Sequence, residues 1–381
     1  MKSNNKEIAI LIPDGEIHVI MYVVNCFSLV KNVKVYVMSS KINSHMKYSR
    51  FIEKFIYYPE TNHDEWIKQI NYEVEKYGID LVMPVYEKAI NVLANNLSKL
   101  RYPDNLVNLS SAQDLYSAGN KGALYRHLKS HNIPCPNTLI IKPNNLTEIV
   151  NLNYPVVIKP VEGGGGGKGI KIATNKEEVL KYYTTYTFNC DSIIQEFING
   201  YDLCCNVLCK DGDLIAYSIQ KGTVFRDGIL TPQIGFDFIE NEALLQTTKK
   251  LMKSLNWSGV ANIDWRFDEK ENVFKVIEIN TRFWLGTDAA SIAGVNFPYL
   301  YCQSSLGQEI ELKKTESISY LSLEGLARIL KRNPLSVFKF KYIYNHSPIR
   351  FIIKDPFPIL YKMLYILKLV GISLHLDYAI N

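Results

Sequence analysis

Asp264, Glu278 and Asn280 are oxygen-bearing side chains whose spacing suits a hard cation. Residues 273–280 read as a strand, so Glu278 and Asn280 face one side while Ile277 and Ile279 face the other. A second strand over residues 260–267 is joined to it by the turn-rich Asp268-Glu269-Lys270-Glu271-Asn272. Antiparallel pairing brings Asp264 across from the other two, and two carboxylates with an amide oxygen suit Mg²⁺, with Mn²⁺ as a substitute. The plainer reading, acids on a solvated sheet face, is weaker because carboxylates set among apolar residues repel one another unless a cation neutralises them. Arg282 projects to the same side if the strand continues, where its guanidinium can grip a phosphate or a carboxylate. Phe283 and Trp284 read better as core than as pocket aromatics.

The other chemical signal is Glu162 followed by Gly163, Gly164, Gly165, Gly166, Gly167, Lys168 and Gly169. Consecutive glycines expose backbone N–H groups that can wrap phosphate oxygens. A P-loop is excluded, because Glu162 stands where its first glycine belongs and Gly169 where its hydroxyl residue belongs. A strand ending Ile158-Lys159-Pro160 enters the loop and residues 170–173 leave it, which makes the loop the tip of a hairpin able to close over a ligand. Lys159 ends an otherwise apolar strand, so phosphate contact is preferred for it over a solvated surface charge. Lys168 reads the same way by a smaller margin. Lys121 alone is evenly balanced between the two.

The elements that must position these groups fall into three stretches. Apolar runs at 7–12, 33–38, 55–58 and 80–85 alternate with helical lengths, predicting a βαβα unit with a parallel sheet, Rossmann-like in shape. Its first turn, Pro13-Asp14-Gly15-Glu16, lacks the glycines a dinucleotide needs. A helix cap at Ser110-Ser111 opens a segment that carries Lys121 and ends where Pro134 and Pro136 force an extended exit. Strands at 156–159, 170–173, 193–196, 203–208 and 214–220 then predict an α+β, largely antiparallel region. The expected division is a Rossmann-like domain over 1–110, a two-lobed domain over 111–310 (111–195 with the loop, 196–310 with the metal site) and a basic helical extension over 311–381.

Composition narrows the class. The 381 residues are 47% hydrophobic, enough for a large core. The seven cysteines are scattered without a C-x-x-C pair, and the polar N-terminus leads into too short an apolar run for a signal peptide, so a cytoplasmic protein without a disulfide framework is expected. The net charge of +5 divides into +7 over residues 325–381 and −2 elsewhere, which leaves no nucleic-acid footprint. Residues 356–374 are apolar nearly all round but carry Lys362 and Lys368, too short and too charged for a membrane span. A terminal helix buried on the core is the first reading, and peripheral contact of 325–381 with an anionic membrane or an acidic partner the second.

With Lys159, the glycine loop and the Asp264, Glu278, Asn280 set in hand, residues 1 to about 310 resemble the ATP-grasp superfamily, and within it the predicted ATP-dependent carboligase group. Members of that group carry N-P-R-F-W after the metal-binding glutamate; here Asn280-Thr281-Arg282-Phe283-Trp284 has threonine for proline, and Leu285-Gly286 replaces a glycine-small pair. The resemblance implies a pre-ATP-grasp domain followed by an ATP-grasp domain, with Mg·ATP as the nucleotide. It implies that Lys121, Lys159 and the glycine loop hold phosphates and that Gln195, Glu196, Phe197 and Ile198 form the hinge that recognises adenine. Asp202 stands where a longer acid binds the ribose. Asp264, Glu278 and Asn280 match the Mg²⁺ ligands, and Arg282 the arginine that contacts phosphate or an acyl phosphate.

The implied chemistry is a small carboxylate attacking the γ-phosphorus, followed by an amine that displaces phosphate. No protein nucleophile is needed, and no G-x-S-x-G elbow or Cys/His pair is seen; Cys204, Cys205 and Cys209 read as structural. Phosphorylation of bicarbonate is the rival within enzymes, and a non-catalytic ATP-binding protein the rival outside them. A protein kinase is disfavoured by the missing H-R-D and D-F-G segments. Homodimer formation is left open.

Overall fold

The computed structural model describes residues 7–59, 61–142, 149, 152–163, 169–186, 190–226 and 233–365. The chain opens with β1 (Ile8–Ile12), β2 (Val33–Ser39), β3 (Lys54–Tyr57) and β4 (Leu81–Val82), which form an all-parallel sheet in the order β3-β2-β1-β4. Helices α1 (Ile20–Phe27), α2 (His63–Tyr77) and α3 (Glu87–Ala94) accompany it. Helix α2 shows how local sequence sets an element's ends. The Asn62 side chain accepts the Glu65 N–H at its start, and Gly78 adopts a left-handed φ of 60° at its end. The expected Pro13–Glu16 turn has a structural task, since the buried Asp14 carboxylate accepts the N–H groups of Val85 and Tyr86 beyond β4.

Helices α4 (Ala112–Gly119) and α5 (Lys121–Ser130) lead into a second sheet of β5 (Thr138–Ile141), β6 (Val156–Pro160), β7 (Lys171–Ala173) and β8 (Ser192–Glu196), with α6 (Lys176–Thr185) between the last two. Its order is β5-β8-β6-β7, antiparallel throughout. The large third sheet contains β9 (Gly200–Lys210), β10 (Asp213–Phe225), β11 (Gln233–Ile239), β12 (Gly259–Asp268) and β13 (Val273–Asn280), with α7 (Glu242–Ser254) preceding β12. Beyond it lie α8 (Thr287–Ile292), α9 (Phe297–Ser305), β14 (Lys313–Lys314), β15 (Ser319–Leu321), α10 (Leu323–Arg332), α11 (Phe340–Asn345) and α12 (Ile349–Lys354).

The segment expected to be a helical extension from 311 onward is partly strand. β15 adds to the edge of the large sheet beside β11, giving the order β13-β12-β9-β10-β11-β15, while β14 pairs with β10. Burial of Tyr320 explains this, because its ring lies 5.3 Å from that of Phe236, its partner on the same rung. Ser322 then caps α10, which lies so close to β11 that a Cβ on Gly325 would come within 2.2 Å of the Ile234 carbonyl.

One hydrophobic core joins the parallel sheet and α1 to α8, α9, Phe236 and Tyr320, with Phe283 and Trp284 inside it, as expected for those two aromatics. A second core covers the opposite face of the large sheet through Ala261, Ile263 and Trp265 of β12. Strand alternation therefore leaves Asn262, Asp264 and Arg266 on the other face. The C-terminal segment docks on the N-terminal unit, with Asp355 accepting the Ser49 hydroxyl at 2.5 Å and Tyr361 lying 4.5 Å from the Tyr48 ring. Residues 366–381, which include Lys368 and the end of the expected terminal helix, lie outside the described residues. No helix among the described residues is long and apolar enough to cross a membrane.

Candidate active site

Strands β12 and β13 pair antiparallel with Asp264 opposite Glu278 and Asn262 opposite Asn280. Asp264 and Glu278 thus share a rung, and Asn280 stands two rungs further along, on the same face. Burial pushes the Asp264 carboxyl up to about 7, and the Glu278 carboxylate facing it adds to the rise. Burial raises Glu278 too, but the Lys121 and Lys159 ammoniums and a hydrogen bond with Asp264 outweigh it, leaving Glu278 below the usual carboxylate range. Of the two, Asp264 is the one that holds a proton more readily.

Both lysines come from the second sheet and its preceding helix. Lys159 is 4% exposed on β6, and its ammonium makes no hydrogen bond among the described residues. Burial lowers its ammonium to about 8, against the pull of Glu278. Lys121, evenly balanced from sequence, sits at the first turn of α5 with its Nζ 3.5 Å from Glu278 Oε2 and 3.3 Å from the Gly163 carbonyl. The start of the glycine loop is tied to that helix end. Asn120 caps α5 by accepting the N–H groups of Gly122 and Ala123, and it donates through Nδ2 to Glu162 at 2.9 Å. Gly164, Gly165, Gly166, Gly167 and Lys168 lie outside the described residues. Gly169, which follows them, has a left-handed φ of 74°.

Arg282 reaches back toward the same face. Its Nη2 donates to Asn280 Oδ1 at 3.1 Å, its Nη1 donates to the Phe283 carbonyl at 2.9 Å, and its plane stacks over Tyr86 at 5.1 Å. Nε is buried without a hydrogen-bond partner, with the Glu87 Oε1 carboxylate oxygen 3.7 Å away as its ionic neighbour. Asn280 Nδ2 donates to Asn262 Oδ1, Asn262 Nδ2 to Asn206 Oδ1, and Asn206 Nδ2 to the Ser218 hydroxyl. This chain of amides crosses four strands from Arg282 to β10 and fixes the orientation of Asn280. Sequence reading missed Asn206, Asn262 and Ser218, because asparagines inside strands acquire meaning only when the register aligns them. It also missed Gln220, whose Nε2 is buried and unpaired on the rung opposite Cys204. Cys204 itself donates to Asp264 Oδ1 at 3.1 Å, and burial holds its thiol well above the usual range, as a structural reading of that cysteine requires.

The hinge residues are less uniformly available. The Gln195 amide is spent on Thr138, the Glu196 carboxylate accepts from Asn137, and the Ile198 carbonyl accepts from Arg266 Nε at 2.6 Å. The Phe197 N–H bonds to the Pro155 carbonyl and its ring stacks against the Arg266 guanidinium. Asp202 lies on the same sheet face as Asp264, on the rung opposite Arg266, and that guanidinium holds its Oδ1 at 2.6 Å. One oxygen of Asp202 is therefore already committed.

Among the described residues, no group of three or more His, Cys, Asp or Glu side chains is arranged to hold a metal ion by itself. Two carboxylates on one rung with an amide oxygen beside them still fit Mg²⁺, which takes one or two carboxylates and completes its octahedron with phosphate oxygens and water. Asn280 Oδ1 has a second lone pair to offer while Arg282 uses the first.

Comparison with known proteins agrees with this geometry. Residues 118–286 match the ATP-grasp domain, a stretch that runs from the end of α4 through the loop after Arg282. Carbamoyl-phosphate synthase of Methanobrevibacter smithii is 27% identical over 157 residues, covering 39% of this chain and 42% of that protein. D-aspartate ligase of Enterococcus faecium is 25% identical over 198 residues, covering 46% and 47%. The chain thus spans less than half the length of these relatives. Among solved structures, an L-amino acid ligase from Bacillus licheniformis superposes with a TM-score of 0.59 at 18% identity, covering 79% of this chain and 74% of that one. Residues 118–286 thus carry an ATP-grasp domain.

Proposed function

We propose that the protein is an ATP- and Mg²⁺-dependent carboxylate–amine ligase that forms an amide or peptide bond and releases ADP and phosphate. The observation that carries the reading is the buried Lys159 ammonium, lacking any hydrogen bond among the described residues, in the field of the Asp264–Glu278 pair, whose Glu278 lies 3.5 Å from a second lysine, Lys121. Such a group needs an anionic ligand, and a nucleotide triphosphate between β6 and the β12–β13 face supplies one. Asp264, Glu278 and Asn280 would hold Mg²⁺, which neutralises charge on the β- and γ-phosphoryl oxygens. Lys121, Lys159 and the backbone from Gly163 to Gly169 would grip the same phosphates, with Lys168 among them. Residues 195–198 would border the adenine, and the uncommitted oxygen of Asp202 the ribose.

The roles divide by charge. A substrate carboxylate oxygen attacks the γ-phosphorus, the bond to ADP breaks, and Arg282 holds the phosphoryl oxygens of the acyl phosphate so formed. An amine nitrogen then attacks the acyl carbon, phosphate leaves, and the nitrogen gives up its proton. We read residues 1–110 as a Rossmann-like pre-ATP-grasp domain, 111–195 and 196–310 as the two ATP-grasp lobes, and 311–381 as a basic C-terminal extension. The kinship with carbamoyl-phosphate synthase keeps bicarbonate as the second reading. ADP release in the presence of Mg²⁺ separates the two. The ligase reading expects release that needs an organic acid and rises when an amine is added; release driven by bicarbonate alone would overturn it.

A further inference from the structure

Beside the phosphate face the molecule encloses a cavity of about 230 Å³. Three parts of the chain line it, with Met21 from α1, Phe236 and Leu285 from the large sheet and the loop after β13, and Phe351 and Ile352 from α12. It begins close to the chemistry. Gln233 on its wall places its amide 3.9 Å from Cys204 Sγ, which bonds to Asp264, and Leu285 follows Arg282 by three positions in the chain. A molecule reacting beside Arg282 and Asp264 therefore has this space within reach of its substituent.

The polar side chains around the cavity are already engaged. Asn25 Nδ2 donates to Asp288 Oδ2 at 2.8 Å, and the Tyr320 hydroxyl approaches the other oxygen at 3.4 Å. At the rim the Arg226 guanidinium holds both Glu324 oxygens through Nε at 2.8 and 2.9 Å. What faces the interior is mainly hydrocarbon, so a charged or hydroxylated substituent would lose its water and gain no partner. An apolar one gains about fourfold in affinity for each methylene buried. An engineered apolar cavity of roughly 150 Å³ already accepts benzene, so the space here has room for one ring or a branched alkyl chain.

We propose that one of the two ligase substrates carries such an apolar group, a branched alkyl chain or a single aromatic ring, and that the group is held in this cavity with α12 as its outer wall. The proposal rests on the ligase reading and specifies the substrate class that reading leaves blank. Calorimetric titration of the full chain tests it, with and without Mg²⁺ and a non-hydrolysable ATP analogue. The acid probes are propionate, 4-methylpentanoate and 3-phenylpropionate, and the amine probes are methylamine, isobutylamine and benzylamine. In one series the branched and aromatic members should bind at least about tenfold more tightly than the smallest. Ile352→Trp, which fills the cavity, should erase that gain while the analogue binds as before. Leu285→Trp, at a position half exposed at the mouth, provides the same test if Ile352→Trp does not fold. Flat affinities in both series with the analogue bound would overturn the cavity's role alone, as would an undiminished gain in a folded filled variant. Probe binding by a protein that binds no nucleotide would overturn the ligase reading, and with it the assignment of the occupant as a ligase substrate.

Discussion

Glu278→Gln should reduce ADP formation at least about a thousandfold while the protein stays folded. The substitution keeps the shape of the side chain and removes the charge that stands opposite Asp264 and 3.5 Å from Lys121. Two opposing effects act on the empty protein. The two lysines lose an anionic neighbour, and Asp264 loses the like charge that, with burial, raises its carboxyl. These offset, so the melting temperature should move by only a few degrees. Nothing offsets the loss at the metal, where a neutral amide replaces one of two carboxylates. Steady-state ADP release and a thermal melt on the same preparation check both halves. Unchanged turnover in a folded Glu278→Gln protein would remove the metal assignment.

Lys159→Met should weaken binding of a non-hydrolysable ATP analogue by about two to three orders of magnitude without destabilising the empty protein. The first half follows from charge, since an ammonium about 4 Å from a phosphate oxygen contributes roughly 4 kcal/mol at an effective dielectric near 20. The second follows from burial. Holding the ammonium out of water costs enough to lower it to about 8, and a methionine of similar volume avoids that cost. A binding defect paired with equal or higher stability is what a ligand-directed lysine gives, whereas a structural lysine would lose stability. Lys176→Ala, on the exposed start of α6, is the control and should bind the analogue as the unaltered protein does. Equal affinities for the two variants would end the phosphate role of Lys159.

Much of the face that gathers Asp264, Glu278 and Asn280 was legible in the sequence because strands alternate. Once residues 273–280 were read as a strand, Glu278 and Asn280 had to share a face, and the turn at 268–272 had to return Asp264 toward them. Lys159 was legible for a related reason, as the single charge ending an apolar run. Other features depend on long-range pairing. Asn206 and Asn262 lie 56 positions apart and become a ladder only through the β9–β12 register. The ion pair that occupies part of Asp202 arises in the same way, from Arg266 on the opposite rung. Strand β11 does carry an alternating signal, with Ile234, Phe236 and Phe238 buried, but Gly235 between them weakened it. The two short strands after 311 pair with β10 and β11, neither adjacent in sequence, and nothing local announces them. The cavity is the extreme case. Its walls come from α1, the large sheet and α12, and only the fold brings Met21 and Ile352 together.

The claim on which the rest depends is that a substrate carboxylate is phosphorylated before the nitrogen attacks, and the fate of an oxygen atom tests it most directly. A carboxylate oxygen cannot leave carbon as oxide but can leave as phosphate, so activation transfers one oxygen from the acid to the phosphoryl group. With an acid substrate labelled in its carboxylate with ¹⁸O, and an amine supplied, one labelled oxygen should appear in inorganic phosphate for each ADP released. Unlabelled phosphate, with all the remaining label in the product, or release of AMP and pyrophosphate, would contradict the acyl-phosphate mechanism.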